Sequence, residues 1–215
     1  MIKNQNRSFW IGASDTSMVM GNWETETFKN WWLIKLGIDV NRFKSWKMDC
    51  GNIIEIPIIR AIERKEGKKI KIGRYPYYNF FLRLRVNYDG LRKEEVIEIK
   101  TTGKGFKSIP KNYWQQCQVL MYRKKKKRCA LYEYQMQDVD YLNPYFPDID
   151  LNRLKRHEIE YDREFIENEY LPRLRYLASC LRLKKFPKVE EYVEYRNKKC
   201  SRLVASTNED SKRCA

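Results

Sequence analysis

The amino-acid sequence predicts an α/β (α+β) fold, with a central mixed β-sheet flanked by helices. Three observations lead to this fold class. Apolar residues form 42% of the 215 residues, which is enough for a buried core in one domain. Helical periodicity dominates the first third of the chain, and short alternating segments follow it. After those segments the order is helix, strand, strand and helix, which is typical of a sheet covered by helices.

Each predicted element has a local signal in the sequence. Ser14 can cap a short first helix, and Gly37 and Gly67 mark the ends of the next two. Pro57 lies in the third helix, where it kinks the helix or marks its first regular turn. Asp162 is the expected cap of the last helix. The helices are predicted at 13–21, 24–37, 51–67, 112–122 and 162–183, and the strands at 69–73, 80–88, 95–101, 129–136 and 156–161.

The chain divides into one domain and a tail. Residues 1–195 carry the periodic elements, whereas 196–215 are rich in charge and lack periodicity, so we expect a basic, disordered tail there. No apolar run reaches the roughly 18 residues of a membrane helix, and no apolar segment follows the first charged residues as in a signal peptide. We therefore expect a cytoplasmic, intracellular protein with no membrane partner.

The charge balance indicates a polyanionic partner. Lys and Arg number 44 against 28 Asp and Glu, which gives a formal net charge of +16. Neutralising phosphates releases counterions, so this composition favours nucleic acid, although ribosomal and membrane-associated proteins share it. His157 is the single histidine, which excludes histidine metal clusters and paired-histidine phosphotransfer, and a structural role is expected for it. Chemistry on phosphodiesters would then fall to carboxylates and a metal ion.

Two cofactors are not expected. The segment TTGKGFKS shares only its composition with an ATP-binding phosphate loop, so ATP is not implied. The six cysteines form no C-x-x-C pair, and their spacing matches no zinc or iron–sulfur template. Free thiols without an iron–sulfur cluster are the expected state in a reducing compartment.

Glu55 lies on the apolar face of the third predicted helix. The residues three, four and seven positions later are Ile58, Ile59 and Ile62. Burying a carboxylate among them costs several kcal/mol without a cationic partner, so a metal ion or a basic side chain should face Glu55. The alternative is an exposed glutamate at a frayed helix start.

The strand VIEIK is the strongest candidate for a site. Side chains alternate in a strand, so Glu98 and Lys100 share one face while the isoleucines of the motif point to the core. A hairpin with the preceding strand would place Asp89, at a DG turn, beside Glu98. Two carboxylates and the backbone carbonyl of Ile99 would suit Mg²⁺, with Mn²⁺ as a substitute. Lys100 could orient water or offset developing charge. The alternative is a solvated, charged strand face.

Several short blocks resemble one nuclease family. The chain resembles the YqaJ-like viral recombinases and the phage lambda-type exonucleases of the PD-(D/E)XK class. Five blocks occur in the same order as in that family and with similar spacing: RSFWIGASD, GNIIE, NYDG, VIEIK and YWQQCQVLMY. The late segment EIEYDREFIENEYLPRL resembles the closing strand and helix of that family. The resemblance spans about residues 7–183 and implies a restriction-endonuclease-like PD-(D/E)XK core. The chain departs from the family pattern at Tyr88, where the motif often has proline.

The resemblance implies roles for residues of the expected catalytic site. Asp89 and Glu98 match the metal-binding carboxylates, and Lys100 matches the motif lysine. Glu55 matches the helix glutamate that completes the acidic site. Gln116 matches a glutamine on the helix after the motif, near the scissile phosphate.

A second set of residues is expected to hold DNA. Arg7 and Ser14 match, at the same mutual spacing, an arginine and a serine that bind a 5′-terminal phosphate in the lambda-type enzymes. The run KKKKR at 124–128 either extends a basic groove or forms a solvated turn between a helix and a strand. Three further lysines beside the motif strand are expected to line that groove: Lys104, Lys107 and Lys111.

By resemblance, the expected activity is that of a Mg²⁺-dependent exonuclease. The enzyme would degrade one strand of linear double-stranded DNA from 5′ to 3′, release 5′-phosphomononucleotides and leave a 3′-ended strand for phage-type recombination. The implied partners are double-stranded DNA ends, a single-strand annealing protein and further copies of the chain in a trimeric ring, and the gene would belong to a phage or prophage. The alternatives are an endonuclease or nickase of the same fold and a non-catalytic DNA-binding relative.

Overall fold

In a computed structural model, the described residues are 7–40, 45–145 and 147–198. They form two β-sheets, and helices cover both faces of the larger one. The predicted α/β (α+β) architecture with a central mixed sheet is therefore confirmed. Most of the tail predicted at 196–215 lies outside the described residues, and 196–198 belong to a helix that starts at 189. The other helices are α1 (Thr16–Met20), α2 (Glu26–Leu36), α3 (Trp46–Glu66), α4 (Lys111–Lys124), α5 (Asp138–Leu142) and α6 (Leu171–Arg182).

The first predicted helix has a different cap from the expected one. Ala13–Asp15 form a 3₁₀ turn that leads into α1, and Gly12 is the residue that precedes this turn. The Gly12 N–H donates to Oδ2 of Asp15 at 2.7 Å, while Ser14 lies exposed on the turn. The prediction that Ser14 caps the helix is therefore wrong, because Ser14 lies inside the 3₁₀ turn and α1 begins only at Thr16.

The next two helices end at the glycines that the sequence marked. Gly37 and Gly67 follow α2 and α3 with φ angles of 74° and 64°, in the left-handed region that glycine adopts without strain. The start of α3 differs from the prediction, because Ser45 Oγ accepts the N–H of Met48 at 3.3 Å and caps the helix before residue 46. Pro57 therefore lies inside α3 rather than near its start.

Strands of the described residues form two sheets. They are β1 (Ile11–Gly12), β2 (Lys71–Ile72), β3 (Tyr77–Asn79), β4 (Leu84–Val86), β5 (Gly90–Leu91), β6 (Glu95–Thr102), β7 (Arg128–Gln135) and β8 (Leu154–Glu160). The larger sheet has five strands in the order β2-β5-β6-β7-β8. β6 and β7 run parallel and α4 connects them, while the other neighbouring pairs are antiparallel. The parallel pair places the motif strand β6 at the centre of the fold.

Helices pack on both faces of the larger sheet. On one face, isoleucines of α3 pack against Ile97 and Ile99 of β6, as the alternation predicts. On the other face, α4 and α6 pack against Val96 and Leu131. The motif strand is therefore enclosed by two layers of helix, and a polar side chain on it must be satisfied inside the protein.

The smaller sheet, in the order β1-β4-β3, corrects the prediction for 80–88. Only three residues of that segment are extended, and they pair with β1 and β3 rather than with the motif strand. Asn79 Oδ1 accepts the N–H of Leu82 at 3.0 Å, and Arg83 has a positive φ of 49°, so the chain turns before it extends. Arg85 is only 5% exposed, because both faces of β4 are covered.

The second half of the chain follows the prediction closely. α4, β7 and β8 coincide with predicted elements apart from small shifts of their ends. Asp162 Oδ1 accepts the N–H of Phe165 at 2.8 Å and caps the helical segment that leads into α6, as expected. This segment contains a π-helical turn at Phe165–Tyr170, and Pro172 lies in the first turn of α6. In the described part of the chain, no helix is long and apolar enough to cross a membrane.

Candidate active site

Glu98, Lys100 and Gln116 form the centre of the candidate site. Lys100 Nζ lies 2.7 Å from Glu98 Oε1, so the two side chains share one face of β6. Gln116 Nε2, from α4, donates to the same oxygen at 2.5 Å. Glu98 is only 3% exposed. The helix that connects the two parallel strands therefore places an amide directly over the motif glutamate, and the alternative of a solvated strand face is wrong.

Asp89 reaches the motif strand through the short strand β5. Its Oδ2 accepts the N–H of Ile99 at 2.7 Å, at the point where β5 no longer pairs with β6. The connecting hairpin turns over residues 92–94, between β5 and β6. The predicted hairpin between 80–88 and the motif strand is therefore wrong, because β5 intervenes and the DG pair opens this strand instead of forming the turn. Asp89 nevertheless lies beside β6.

Glu55 comes from α3, which lies against the end of β6. A Cβ at Gly51 would stand 2.7 Å from Oγ1 of Thr101, so a glycine is needed for this close approach. Glu55 follows about one turn later on the same side of the helix. Its carboxylate is close enough to Glu98 and Lys100 to feel both charges. It is partly buried, so the alternative of an exposed glutamate at a frayed helix start is wrong.

Two carboxyl groups of the site, those of Glu55 and Asp89, have raised pKa values. Burial and then the charge of Glu98 raise the pKa of Glu55 to about 7. Burial, followed by the charges of Glu98 and Glu55, raises the pKa of Asp89 well above its ordinary value. Lys100 opposes both shifts, and although burial lowers the pKa of its own ammonium, the carboxylates raise it by more. One ammonium does not offset three ionised carboxylates, so burial and repulsion favour the protonated forms of Glu55 and Asp89 in the absence of a metal ion.

The donor atoms of this set suit a hard divalent cation. Carboxylate and carbonyl oxygens are the ligands that Mg²⁺ and Mn²⁺ prefer. The N–H and C=O of a strand residue point to the same side, so the Ile99 carbonyl faces Asp89 as its N–H does. Within the described ranges, no three His, Cys, Asp or Glu side chains already stand in a metal-binding arrangement. The fit to a metal ion rests on oxygen chemistry and on three carboxyl groups that lie near a single ammonium.

A basic corner surrounds the residues expected at a 5′ phosphate. Ser14 is exposed on the 3₁₀ turn that packs against α4. Its neighbour Asp15 is paired with Lys35, whose Nζ lies 2.6 Å from Oδ2. Burial lowers the pKa of Arg85, and the charge of the exposed Arg7 lowers it further. The charge of Asp15 acts in the opposite direction and raises this pKa. The structure thus brings Arg7 close to a second, buried arginine that the sequence interpretation did not single out.

The lysines expected at the DNA groove are exposed. They lie on the loop from β6 to α4 and on the first residue of that helix: Lys104, Lys107 and Lys111. The run 124–128 begins with the last residue of α4 and ends with the first residue of β7. Lys125 ends α4 with a φ of 53°. The run therefore forms a turn between the helix and the strand, which is one of the two alternatives given for it from the sequence.

Glu133 is a buried residue of this region that the sequence interpretation missed. It is 1% exposed and lies opposite Lys100 in the register of β6 and β7. Its Oε1 accepts the N–H of Phe106 at 2.6 Å, and its Oε2 lies 2.8 Å from Nε2 of His157. Glu133 therefore fixes the loop that carries the exposed lysines, and His157 has the structural role expected of it. The available signal was a single carboxylate in the apolar strand CALYEYQM.

Glu133→Ala is expected to destabilise the protein by about 2 kcal/mol or more, because it leaves the Phe106 N–H and His157 without their acceptor. Denaturant unfolding followed by circular dichroism measures this change. Gln135→Ala, at an exposed position of the same strand, is the matched control and should change stability by less than about 0.5 kcal/mol. Equal stability of the two variants would contradict the role given to Glu133.

Solved exonuclease structures share this fold. The alkaline exonuclease LHK-Exo from Laribacter hongkongensis has a TM-score of 0.57 at 18% identity, over 92% of this chain and 96% of its own. The same enzyme in complex with dAMP has a TM-score of 0.65 at 20% identity, again over 92% and 96%. A phage-related exonuclease from Haemophilus somnus 129PT has a TM-score of 0.56 at 16% identity, over 81% and 96%. No protein-family model and no curated protein sequence matches the chain. At these identities the likeness shows the fold, and the fold expected from the family resemblance is confirmed.

Proposed function

We propose that the chain is a divalent-metal-dependent exonuclease that degrades linear double-stranded DNA. The observation that carries this proposal is the set of mutually repelling carboxylates around the Lys100 ammonium. A purely structural or binding role gives no reason to bury such a set, whereas metal-assisted hydrolysis requires one. The likeness to solved exonucleases and the net charge of +16 also support the proposal.

Each residue of the set has a proposed task. When bound, Mg²⁺ would supply an activated water and neutralise charge on the phosphodiester, and Mn²⁺ would substitute for it. Lys100, held beside Glu98, orients the attacking water or stabilises charge on the phosphate. Gln116 fixes the Glu98 carboxylate through its amide hydrogen bond, near the scissile phosphate. The oxygens proposed to hold the metal are those of Asp89, Glu98, Glu55 and the Ile99 carbonyl.

The basic corner near Arg7 is proposed to hold the 5′-terminal phosphate. Arg7 would pair with the phosphate, and the exposed hydroxyl of Ser14 would donate to it. The nearby Arg85 adds positive potential to the same corner. The exposed lysines on the loop after β6 would contact the DNA backbone farther along. This arrangement would give the enzyme its direction, from 5′ to 3′.

The finer features of the function come from the family resemblance. We propose release of 5′-phosphomononucleotides, a 3′-ended strand as the product and a single-strand annealing protein as its recipient in phage-type recombination. A trimeric ring of copies, an intracellular location and a phage or prophage origin belong to the same proposal.

The experiment that tests the function uses purified protein, Mg²⁺ and three DNAs: a linear duplex with 5′ phosphates, the same duplex without them, and a closed circle. We expect degradation of the linear duplexes, faster with the phosphate, and no cutting of the circle. Cutting of the circle would establish an endonuclease or nickase instead. Binding to all three DNAs without cleavage in Mg²⁺ or Mn²⁺ would establish a non-catalytic relative.

Arg7→Ala is expected to slow degradation of 5′-phosphorylated ends by about tenfold or more, because it removes a charge-assisted hydrogen bond to the phosphate. Degradation of ends without the phosphate should not change, so the ratio of the two rates measures the effect. Arg64→Ala, which removes the same charge from an exposed position on α3, is the matched control. An unchanged ratio in Arg7→Ala would remove Arg7 from the proposed phosphate site.

A further inference from the structure

A group of aromatic side chains stands around the turn between β3 and β4. The Trp10 ring lies 4.5 Å from the Tyr78 ring and 5.1 Å from the Phe80 ring, measured between centroids. The rings of Tyr78 and Phe80 are 6.1 Å apart, and Phe81 follows at the tip of the turn. We call Trp10, Tyr78, Phe80 and Phe81 the aromatic platform.

Two rings of the aromatic platform are held in solvent. Phe80 is 71% exposed and Phe81 is 74% exposed. The turn that carries them is fixed on both sides, because Asn79 Oδ1 accepts the N–H of Leu82 at 3.0 Å and Arg182 Nη1 donates to the Phe81 carbonyl at 2.8 Å. Folding does not favour the exposure of two neighbouring phenyl rings on a fixed turn, so their exposure indicates a binding surface.

The surroundings of the aromatic platform are basic. The Arg83 guanidinium lies 5.7 Å from the centroid of the Trp10 ring, and the Arg182 guanidinium lies 5.9 Å from that of Phe81. The segment 74–88 contains three arginines, six aromatic residues and no Asp or Glu. Aromatic rings interleaved with cations are typical of surfaces that bind single-stranded nucleic acid, where bases stack on the rings and cations contact phosphates.

The aromatic platform is connected to the residue proposed to hold the 5′ phosphate. The backbone N–H of Trp10 donates to the Arg7 carbonyl at 3.3 Å. A strand lying on the platform would therefore run close to Arg7.

We propose that the aromatic platform binds unpaired nucleotides of the DNA end by base stacking. The identity of the polymer rests on the proposed function. Bases in a duplex already stack on one another, so the platform would hold only nucleotides that have left the duplex. The arginines favour a phosphate backbone over an apolar protein partner, because such a partner would bury them without a counter-charge.

The test measures binding of unpaired DNA by the full chain in EDTA, where metal-dependent cleavage cannot occur. The probe is a short fluorescein-labelled deoxyoligonucleotide that carries 2-aminopurine, whose emission falls when it stacks on an aromatic ring. The double variant Phe80→Leu/Phe81→Leu removes the ring faces and keeps apolar side chains. Phe80→Tyr/Phe81→Tyr keeps the faces, and Val193→Ala changes an exposed apolar residue of another helix.

The leucine variant is expected to bind the oligonucleotide about tenfold or more weakly and to lose the quenching of 2-aminopurine. The tyrosine variant and Val193→Ala should bind it as the unchanged chain does, and blunt duplex should bind equally well to all. Melting temperatures and sedimentation confirm that each variant is folded. Unchanged affinity of the leucine variant, or equal loss for duplex and single strand, would overturn the proposal. An altered sedimenting mass without altered affinity would identify the platform as a contact between copies.

Failure of the platform proposal can be distinguished from failure of the proposed exonuclease function, because the two proposals are tested by different measurements. Cleavage of linear duplex in Mg²⁺ by the unchanged chain tests the carboxylates. If the chain cleaves DNA but the leucine variant binds single strands normally, only the platform proposal fails. If bases stack on the rings but the chain cleaves no DNA, the proposed exonuclease activity is contradicted and the proposal for the platform still stands.

Discussion

Glu98→Gln is expected to lower the rate of Mg²⁺-dependent cleavage by about three orders of magnitude, because the loss of a metal-binding carboxylate removes several kcal/mol of transition-state stabilisation. Glutamine keeps the size of the side chain and an oxygen that can accept from Lys100 and Gln116. The fold and the affinity for DNA should therefore remain. Initial rates on a 5′-phosphorylated linear duplex and Kd values in EDTA measure the two quantities.

The matched control for this variant is Glu94→Gln, which makes the same chemical change at an exposed position just before β6. It should cleave DNA at the rate of the unchanged chain. Retained cleavage by Glu98→Gln would remove Glu98 from the metal site. A parallel loss of DNA binding and folding would instead assign it a structural role.

Glu55→Gln is expected to stabilise the metal-free protein at neutral and alkaline pH while it reduces cleavage. Burial and Glu98 raise the pKa of Glu55 from 4.5 to about 7 in the folded chain. Between these two values the folded state binds more protons than the unfolded state, so stability falls as pH rises and stays low above about 7. Glutamine removes this loss, which we expect to be about 2 kcal/mol after allowance for the partial exposure of the side chain.

Thermal unfolding in EDTA at pH 5 and pH 8 measures the effect of Glu55→Gln. A gain of about 2 kcal/mol raises the Tm of a chain of this size by about 4 to 8 °C, and the gain should appear at pH 8 and shrink at pH 5. Mg²⁺ should raise the Tm of the unchanged chain more than that of the variant, because binding to the folded state alone adds stability. A lower Tm for the variant at pH 8 would contradict the proposed repulsion among the carboxylates.

The arrangement on the motif strand was predictable because it depends on local periodicity. The alternation in VIEIK places Glu98 and Lys100 on one face whatever the partner strands are. The position of Glu55 followed from the spacing of the isoleucines on α3, which pack on the sheet as predicted. Gln116 was suggested by the family resemblance alone, and its contact with Glu98 depends on the crossover from β6 to β7.

The strand pairing was not predictable because it depends on contacts between distant segments. The segment 80–88 has the composition of a strand, but its turn at Arg83 and its pairing with β1 direct it into a second sheet. The role of Glu133 depends on its register opposite Lys100, which no local pattern specifies. The predicted Ser14 cap was wrong because a 3₁₀ turn precedes the helix and contains Ser14, which the local pattern does not distinguish from the helix itself.

The two edges of the larger sheet are both poor templates for further strands. β2, at one edge, has two residues, and β8, at the other, exposes four charged side chains in the segment LKRHEIE. Short strands and charged side chains at an edge oppose the addition of strands from other molecules. The larger sheet is therefore protected against edge-to-edge aggregation at high concentration. Copies that assemble into a ring would not be joined by a continuation of this larger sheet.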